Sequence, residues 1–162
     1  EEGLQCMPEV PGRLHVKQLT KQVRILDDTY NANVGSVNAA IDLLSSFAGI
    51  KILVLGDMAE LGEKARYYHE QVGEYAKQKG IDKLYTLGVL SQSASDVFAE
   101  QGHHFSRLEQ MIEYINQKTL SEKCDISILV TGSRSARMEL VVKALEESPL
   151  GKFERFREQS VC

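Results

Sequence analysis

A chain of 162 residues with a formal net charge of -4 and a pI near 5.6 gives a nucleic-acid backbone or an anionic membrane surface no electrostatic reason to bind it. A chain this long can bury roughly 70% of the surface an unfolded chain exposes, so neither a disulfide nor a metal is needed to fold it. No apolar run approaches the ~20 residues of a membrane span, and Cys6, Cys124 and Cys162 show no CxxC or Cys/His ligand spacing.

Residues 1–22 hold Pro8, Pro11 and Gly12 with little periodicity, and read as an incoming segment rather than a core layer. No secretory signal pattern opens the chain, and Glu1 stands where a Met would start it. The expectation is a cytosolic segment of a longer polypeptide with its thiols reduced. Val23 to Asp27 predicts a strand. Ser36 is placed to cap a helix whose apolar face is Val37, Ala40, Ile41, Leu44, Phe47 and Ala48, with Gly49 to end it. Ile52-Leu53-Val54-Leu55, within Lys51 to Gly56, is the continuous apolar run of a buried parallel strand. A Gly-rich loop from Gly56 to Gly62 leads to a helix over 64–79 that stops at Gly80. A strand follows at Lys83 to Leu87, a helix at Gln92 to Gln101, and a short strand at His103 to Phe105. Leu108, Met111, Ile112 and Ile115 mark the next helix, Ile126 to Val130 the clearest strand, and Met138, Val141, Val142 and Leu145 the last helix. The tail from Pro149 to Cys162 is polar. Strands alternating with helices predict an α/β fold, a mostly parallel sheet with helices on both faces.

Three junctions carry more polar chemistry than a plain connection needs. In open α/β sheets ligands bind at the carboxyl ends of the strands, where such junctions lie. Asp27-Asp28-Thr29-Tyr30-Asn31-Ala32-Asn33 joins the first predicted strand to the first helix. Its acids could accept ribose hydroxyls and Tyr30 could stack on a base; an Asx-rich turn that caps its helix would use the same residues. Gly56-Asp57-Met58-Ala59-Glu60-Leu61-Gly62 would point Asp57 and Glu60 into the crevice, where they could hold an ammonium group, or would leave them as solvated acids. It is not the GxGxxG dinucleotide fingerprint. Gly132-Ser133-Arg134-Ser135-Ala136-Arg137 puts a hydroxyl and a guanidinium beside a helix start, a seat for carboxylate or phosphate, or an ordinary capped turn. His69, on a helix beside Tyr67 and Tyr68, reads more simply as packed than catalytic, and His15, His103 and His104 have no ligand spacing. Neither a GxxxxGK[ST] phosphate loop nor a Ser/His/Asp arrangement occurs.

Taken together, Pro11-Gly12-Arg13-Leu14, the 27–33 stretch, Val54 to Gly62, His69 with Gly73, and Gly132 to Glu139 resemble, in order and over residues 11–147, the C-terminal part of the Mur ligases. The nearest likeness is to the members that add D-Ala-D-Ala to UDP-MurNAc-tripeptide in peptidoglycan precursor synthesis. The resemblance implies a parent enzyme of three domains: one for the UDP sugar, a central ATPase domain with the phosphate loop, and a C-terminal Rossmann-like three-layer domain. On that pattern residues 1–22 trail from the central domain, 23–148 are the Rossmann-like domain and 149–162 a C-terminal tail. It further implies partners in the N-terminal and central domains, D-Ala-D-Ala and the UDP-MurNAc-tripeptide, but no nucleic acid and no membrane. ATP and Mg2+ would serve the full-length enzyme, with no cofactor tightly bound to this part and no ligation by it alone. A bacterial cytoplasmic location follows.

The same resemblance implies roles for residues. Arg13 and Asp28 would face the nucleotide, with Tyr30, Asn31 and Asn33 shaping its base and ribose pocket. Asp57 and Glu60 would lie near the incoming amine, and Ser133 and Arg134 would hold the dipeptide carboxylate or brace their loop. No residue is assigned to bond making, and none to a metal. Two positions depart from the family pattern: Val34 stands where Pro is usual, and Thr131 where a Lys often precedes Gly-Ser-Arg. Two other readings stay open. One is a folylpolyglutamate synthase-like ligase domain, against which Tyr30-Asn31-Ala32-Asn33 and Gly56-Asp57-Met58 argue. The other is a free-standing, non-catalytic Rossmann-like ligand-binding module.

Overall fold

A continuous apolar run, Ile52 to Leu55, and a mostly apolar one, Ile126 to Val130, make the middle of a six-stranded sheet. The structure, a computed structural model, describes residues 14–29, 32–59, 61–120 and 124–148. Its strands are β1 (His15–Gln18), β2 (Val23–Asp28), β3 (Ile50–Gly56), β4 (Lys83–Leu87), β5 (Gly102–Phe105) and β6 (Ile126–Thr131). They lie in the order β1-β2-β6-β3-β4-β5. All neighbours from β2 to β5 pair in parallel, and β1 alone runs antiparallel, against β2. All six residues of β6 are buried, as are the last five of β3. That is the burial expected of strands covered on both faces.

The helices are α1 (Val34–Ser45), α2 (Ala65–Gln78), α3 (Gln92–Phe98), α4 (Leu108–Leu120) and α5 (Glu139–Glu147). Strand alternation splits the core into two layers. Leu53 and Leu55 of β3 and Leu129 of β6 pack with α1 to α3 through Val37, Ile41, Leu44, Val72, Ala94 and Phe98. Ile52, Val54, Ile128 and Val130 pack with α4 and α5 through Met111, Ile115, Val141 and Leu145. Burying each such side chain contributes about 1.5–3 kcal/mol. The predicted α/β class, mostly parallel sheet and helices on both faces are what the structure has.

Three local expectations change. Residues 15–18 carry no strong apolar alternation, and three of the four are exposed, yet they form an edge strand because their backbone pairs with β2 from His15 opposite Asp27 to Gln18 opposite Arg24. The helix cap is Asn33, not Ser36. Asn33 Oδ1 accepts the Ser36 N–H at 2.9 Å and Ser36 Oγ accepts the Asn33 N–H at 3.0 Å, a reciprocal capping box with Ser36 at the third helical position. Val34 is therefore the first helical residue, the one place in a helix where Pro is favoured. Finally, α1 stops at Ser45 rather than running on through Ala48, and Gly49 takes a φ of +87° to turn the chain into β3.

Helices α2 and α3 approach through small residues. His69, Val72, Gly73 and Ala76 make the buried stripe of α2, and a Cβ on Gly73 would lie 2.5 Å from the Ala94 carbonyl oxygen. The tail from residue 149 and the cysteines at 6 and 162 lie outside the described residues; Cys124 is a free, exposed thiol.

Candidate functional site

The chain leaves β2 and β3 toward the α1–α3 face and leaves β6 toward the α5 face, so a crevice opens on either side of β6 at the carboxyl edge of the sheet. The strand ends are level there. Asp28 pairs with Thr131, Thr131 with Leu55, and Gly56 with Leu87. The three polar junctions therefore rise side by side, although 105 positions (133 − 28) separate Asp28 from Ser133 in the chain.

Asp28, half-buried, ends β2 on the face that carries Leu26, two residues earlier. Its neighbour Asp27 is engaged on the other face: Thr29 Oγ1 donates to Asp27 Oδ1 at 2.7 Å, and Lys17 Nζ lies 3.4 Å from Oδ2. Asn33 sits at the mouth of the same crevice as the α1 cap. Thr131, fully buried, shares the Asp28 face, and its Oγ1 meets no hydrogen-bond partner among the described residues. Arg13, Tyr30, Asn31 and Glu60 lie outside the described residues.

Gly56, which ends β3, and Gly132, which directly follows β6, are glycines for a packing reason. A Cβ on Gly56 would lie 2.5 Å from Met138 Sδ, and one on Gly132 would lie 2.6 Å from Met138 Cγ and 3.1 Å from Gly56 Cα. Met138, 1% exposed, fills the space under both turns. The Gly-Asp and Gly-Ser turns can touch only because both lead with Gly, and the Ser133 N–H donates to the Asp57 carbonyl at 2.9 Å.

Asp57 does not stand free over the crevice. Ser91 N–H donates to its Oδ1 at 2.8 Å and Val89 N–H to its Oδ2 at 3.0 Å. A Cβ on Gly88, whose φ is +128°, would lie 2.6 Å from Oδ1. One acid thus ties three loops: its own, the 88–91 loop after β4 by its side chain, and the Gly-Ser-Arg turn by its carbonyl. Burial pushes the Asp57 pKa up, but the N–H groups of Val89, Ser91 and Leu90 and the Ser91 hydroxyl outweigh it and hold the carboxyl below its usual range. A depressed folded-state pKa means a contribution to stability that is present above the unfolded carboxylate range and is lost as pH falls through the folded value. The urea midpoint of wild type should therefore exceed that of Asp57→Asn near neutrality, and the gap should close in acid. A gap independent of pH would show that the charge of Asp57 does not matter. In the sequence the 88–91 loop carries one local signal, Gly88 directly after a strand.

Ser133 is 3% exposed, with its Oγ 3.0 Å from that of Ser135. Arg134 opens a short 3-10 turn, Arg134–Ala136, and is exposed, as are Ser135 and Arg137. Arg137 is left-handed at φ 55° and ψ 45°, an uncommon state for a residue with a side chain. The helix proper, α5, starts only at Glu139. Ser133 and Arg134 thus sit on a turn of their own beside β3. His69, wholly buried on α2, touches this region from beneath, accepting the Met58 N–H at Nε2.

Residues 12–134 match the family described as Mur ligase, glutamate ligase domain. The chain is 45% identical over 146 residues to the UDP-N-acetylmuramoyl-tripeptide–D-alanyl-D-alanine ligase of Escherichia coli, covering 90% of this chain and 32% of that protein. It is 32% identical to the Bacillus subtilis ligase of the same name, over 92% of this chain and 34% of that one. Among solved structures, it resembles MurF of Acinetobacter baumannii, with a TM-score of 0.80 and 30% identity over 90% of this chain and 32% of the other. It also resembles MurF ligase of Thermotoga maritima in complex with ADP, with a TM-score of 0.73 and 30% identity, over 90% and 33% of the two chains. The chain spans about a third of the length of these relatives.

Proposed function

Because this chain belongs to the Mur ligase family, we propose that it is the C-terminal domain of an ATP-dependent ligase that joins D-Ala-D-Ala to UDP-MurNAc-tripeptide. In the full-length enzyme ATP phosphorylates the precursor's terminal carboxylate. The dipeptide amine then attacks the acyl phosphate and inorganic phosphate leaves. The work of this domain is to close over the ATPase domain, position the reactants and exclude water from the acyl phosphate. The enzyme would work in the bacterial cytoplasm. No helix among the described residues is long and apolar enough to cross a membrane.

The observation that carries this reading is the convergence of three separate junctions at one sheet edge, locked by the bond from Ser133 N–H to the Asp57 carbonyl. We assign Asp28 and Asn33, with Arg13, Tyr30 and Asn31, to the nucleotide side. Ser133 and Arg134 take the dipeptide carboxylate, while Asp57 and Glu60 line the approach of its amine. Because β1 pairs within this sheet, we place the lead-in from the central domain before His15. Among the described residues no three His, Cys, Asp or Glu side chains gather as a metal site. Mg2+ would be held with the ATP phosphates on the other domains.

In the full-length protein, Asp28→Ala should raise the KM for ATP about tenfold, the effect of losing about 1.4 kcal/mol, and leave the KM for D-Ala-D-Ala nearly unchanged. Steady-state phosphate release measures both. Ordinary ATP kinetics in that variant would remove Asp28 from the nucleotide side. A wild type that fails to ligate D-Ala-D-Ala would end the reading as a whole.

A further inference from the structure

We propose that His69 is a positioning residue for the Gly132-Ser133-Arg134 turn, acting through the single peptide plane between Asp57 and Met58. Its kinetic consequence rests on the ligase reading above; its structural consequence rests on geometry alone.

His69 is 0% exposed and both ring nitrogens are engaged. Met58 N–H lies 2.9 Å from Nε2, and the Ala65 carbonyl oxygen lies 2.7 Å from Nδ1. A backbone N–H can only donate and a carbonyl can only accept. The ring is therefore neutral, with its proton on Nδ1 and a lone pair on Nε2. The amide of Met58 and the carbonyl of Asp57 belong to one trans, planar unit. The N–H end of that unit is held by His69. The C=O end accepts the Ser133 N–H at 2.9 Å. Any swing of the plane about its flanking bonds strains both contacts together. His69, on α2, therefore sets the orientation of the carbonyl that anchors a turn leaving β6.

A role in packing alone would ask for an apolar side chain, as its stripe-mates Val72 and Ala76 are. The ring instead supplies an acceptor to a buried amide that is otherwise hard to satisfy. The hydrogen bond also polarises the peptide it joins, which strengthens the carbonyl as an acceptor for Ser133.

Three variants of the full-length protein test this. His69→Gln keeps an acceptor within reach of the Met58 N–H. His69→Asn keeps a donor toward Ala65 but no acceptor at the Nε2 position. His69→Leu keeps only bulk. The Asn and Leu variants should raise the KM for D-Ala-D-Ala about tenfold with the KM for ATP little changed, and Gln should recover most of the loss. Hydrogen exchange should quicken at residues 132–136 in Asn and Leu, while the β6 residues 128–130 stay protected, and Gln should restore protection. Unchanged exchange at 132–136 in a folded Asn or Leu variant would overturn the proposal, as would a Gln variant no better than Leu. Where exchange responds but the wild type shows no D-Ala-D-Ala turnover, the positioning role stands and the ligase reading falls. Where the wild type ligates and exchange does not respond, the reverse holds.

Discussion

Assayed by itself, the 162-residue chain should release no phosphate from ATP and form no amide with D-Ala-D-Ala. Its sequence has no GxxxxGK[ST] loop, and it spans 32% of the Escherichia coli ligase it resembles. The proposed reaction must bring ATP, a carboxylate and an amine into one geometry. Fixed geometry can supply roughly 7–11 kcal/mol of such a barrier, and one wall of a cleft supplies little of that. Calorimetry should accordingly find weak or absent binding of ATP and of the dipeptide to this chain. Turnover by the chain alone would refute the division of labour proposed for it, and tight binding without turnover would favour a free-standing ligand-binding module.

How far the fold can be read from sequence depends on how local its causes are. Ile52 to Leu55 and Ile126 to Val130 are legible because a strand buried on both faces is nearly continuously apolar; both are buried here, with Ser127 the one polar residue among them. The stripe of Val37, Ala40, Ile41 and Leu44 declares α1 for the same kind of reason. Strand β1 is not legible, since an edge strand is held by backbone pairing and needs no apolar face. The start of α1 lies three residues before the one Ser36 suggests because Asn33 and Ser36 are both good caps; only the reciprocal bonds show which one is outside the helix.

The site divides along the same line. That Asp28, Asp57 and Ser133 share an edge follows from parallel strands, and the alternation of strand and helix implies such strands. What each residue does there is a matter of distance between segments remote in sequence. Asp57 reads as a free acid in a Gly-rich loop, but the 88–91 loop reaches across to occupy both its oxygens. Nor does sequence show why positions 56 and 132 are glycine: the sulfur and Cγ of Met138, remote from Gly56 in the chain, exclude a side chain at both. His69 reads as packed and is buried, but the bond it makes to Met58 does not follow from its neighbours Tyr67 and Tyr68.

Arg134→Ala in the full-length enzyme should raise the KM for D-Ala-D-Ala by roughly 10–100-fold, since a hydrogen bond to a charged group contributes about 1.5–3 kcal/mol. Gly132 lets the backbone come against Gly56, Ser133 N–H is fixed on the Asp57 carbonyl, and Arg134 is the first exposed side chain beyond that anchor. A guanidinium so placed can meet a carboxylate with two parallel bonds, which an ammonium cannot reproduce. Arg134→Lys should therefore recover only a small part of the loss. Arg137 tests whether charge alone suffices. It is also exposed, and its Nε lies 3.9 Å from Glu139 Oε2, but it sits past the turn in a left-handed conformation, and Arg137→Ala should shift the dipeptide KM little. If the two alanine variants lose dipeptide affinity equally, the turn attracts its ligand by general positive charge and the carboxylate seat is not built on Arg134. If Arg134→Ala leaves that KM unchanged, the residue has no place in the site.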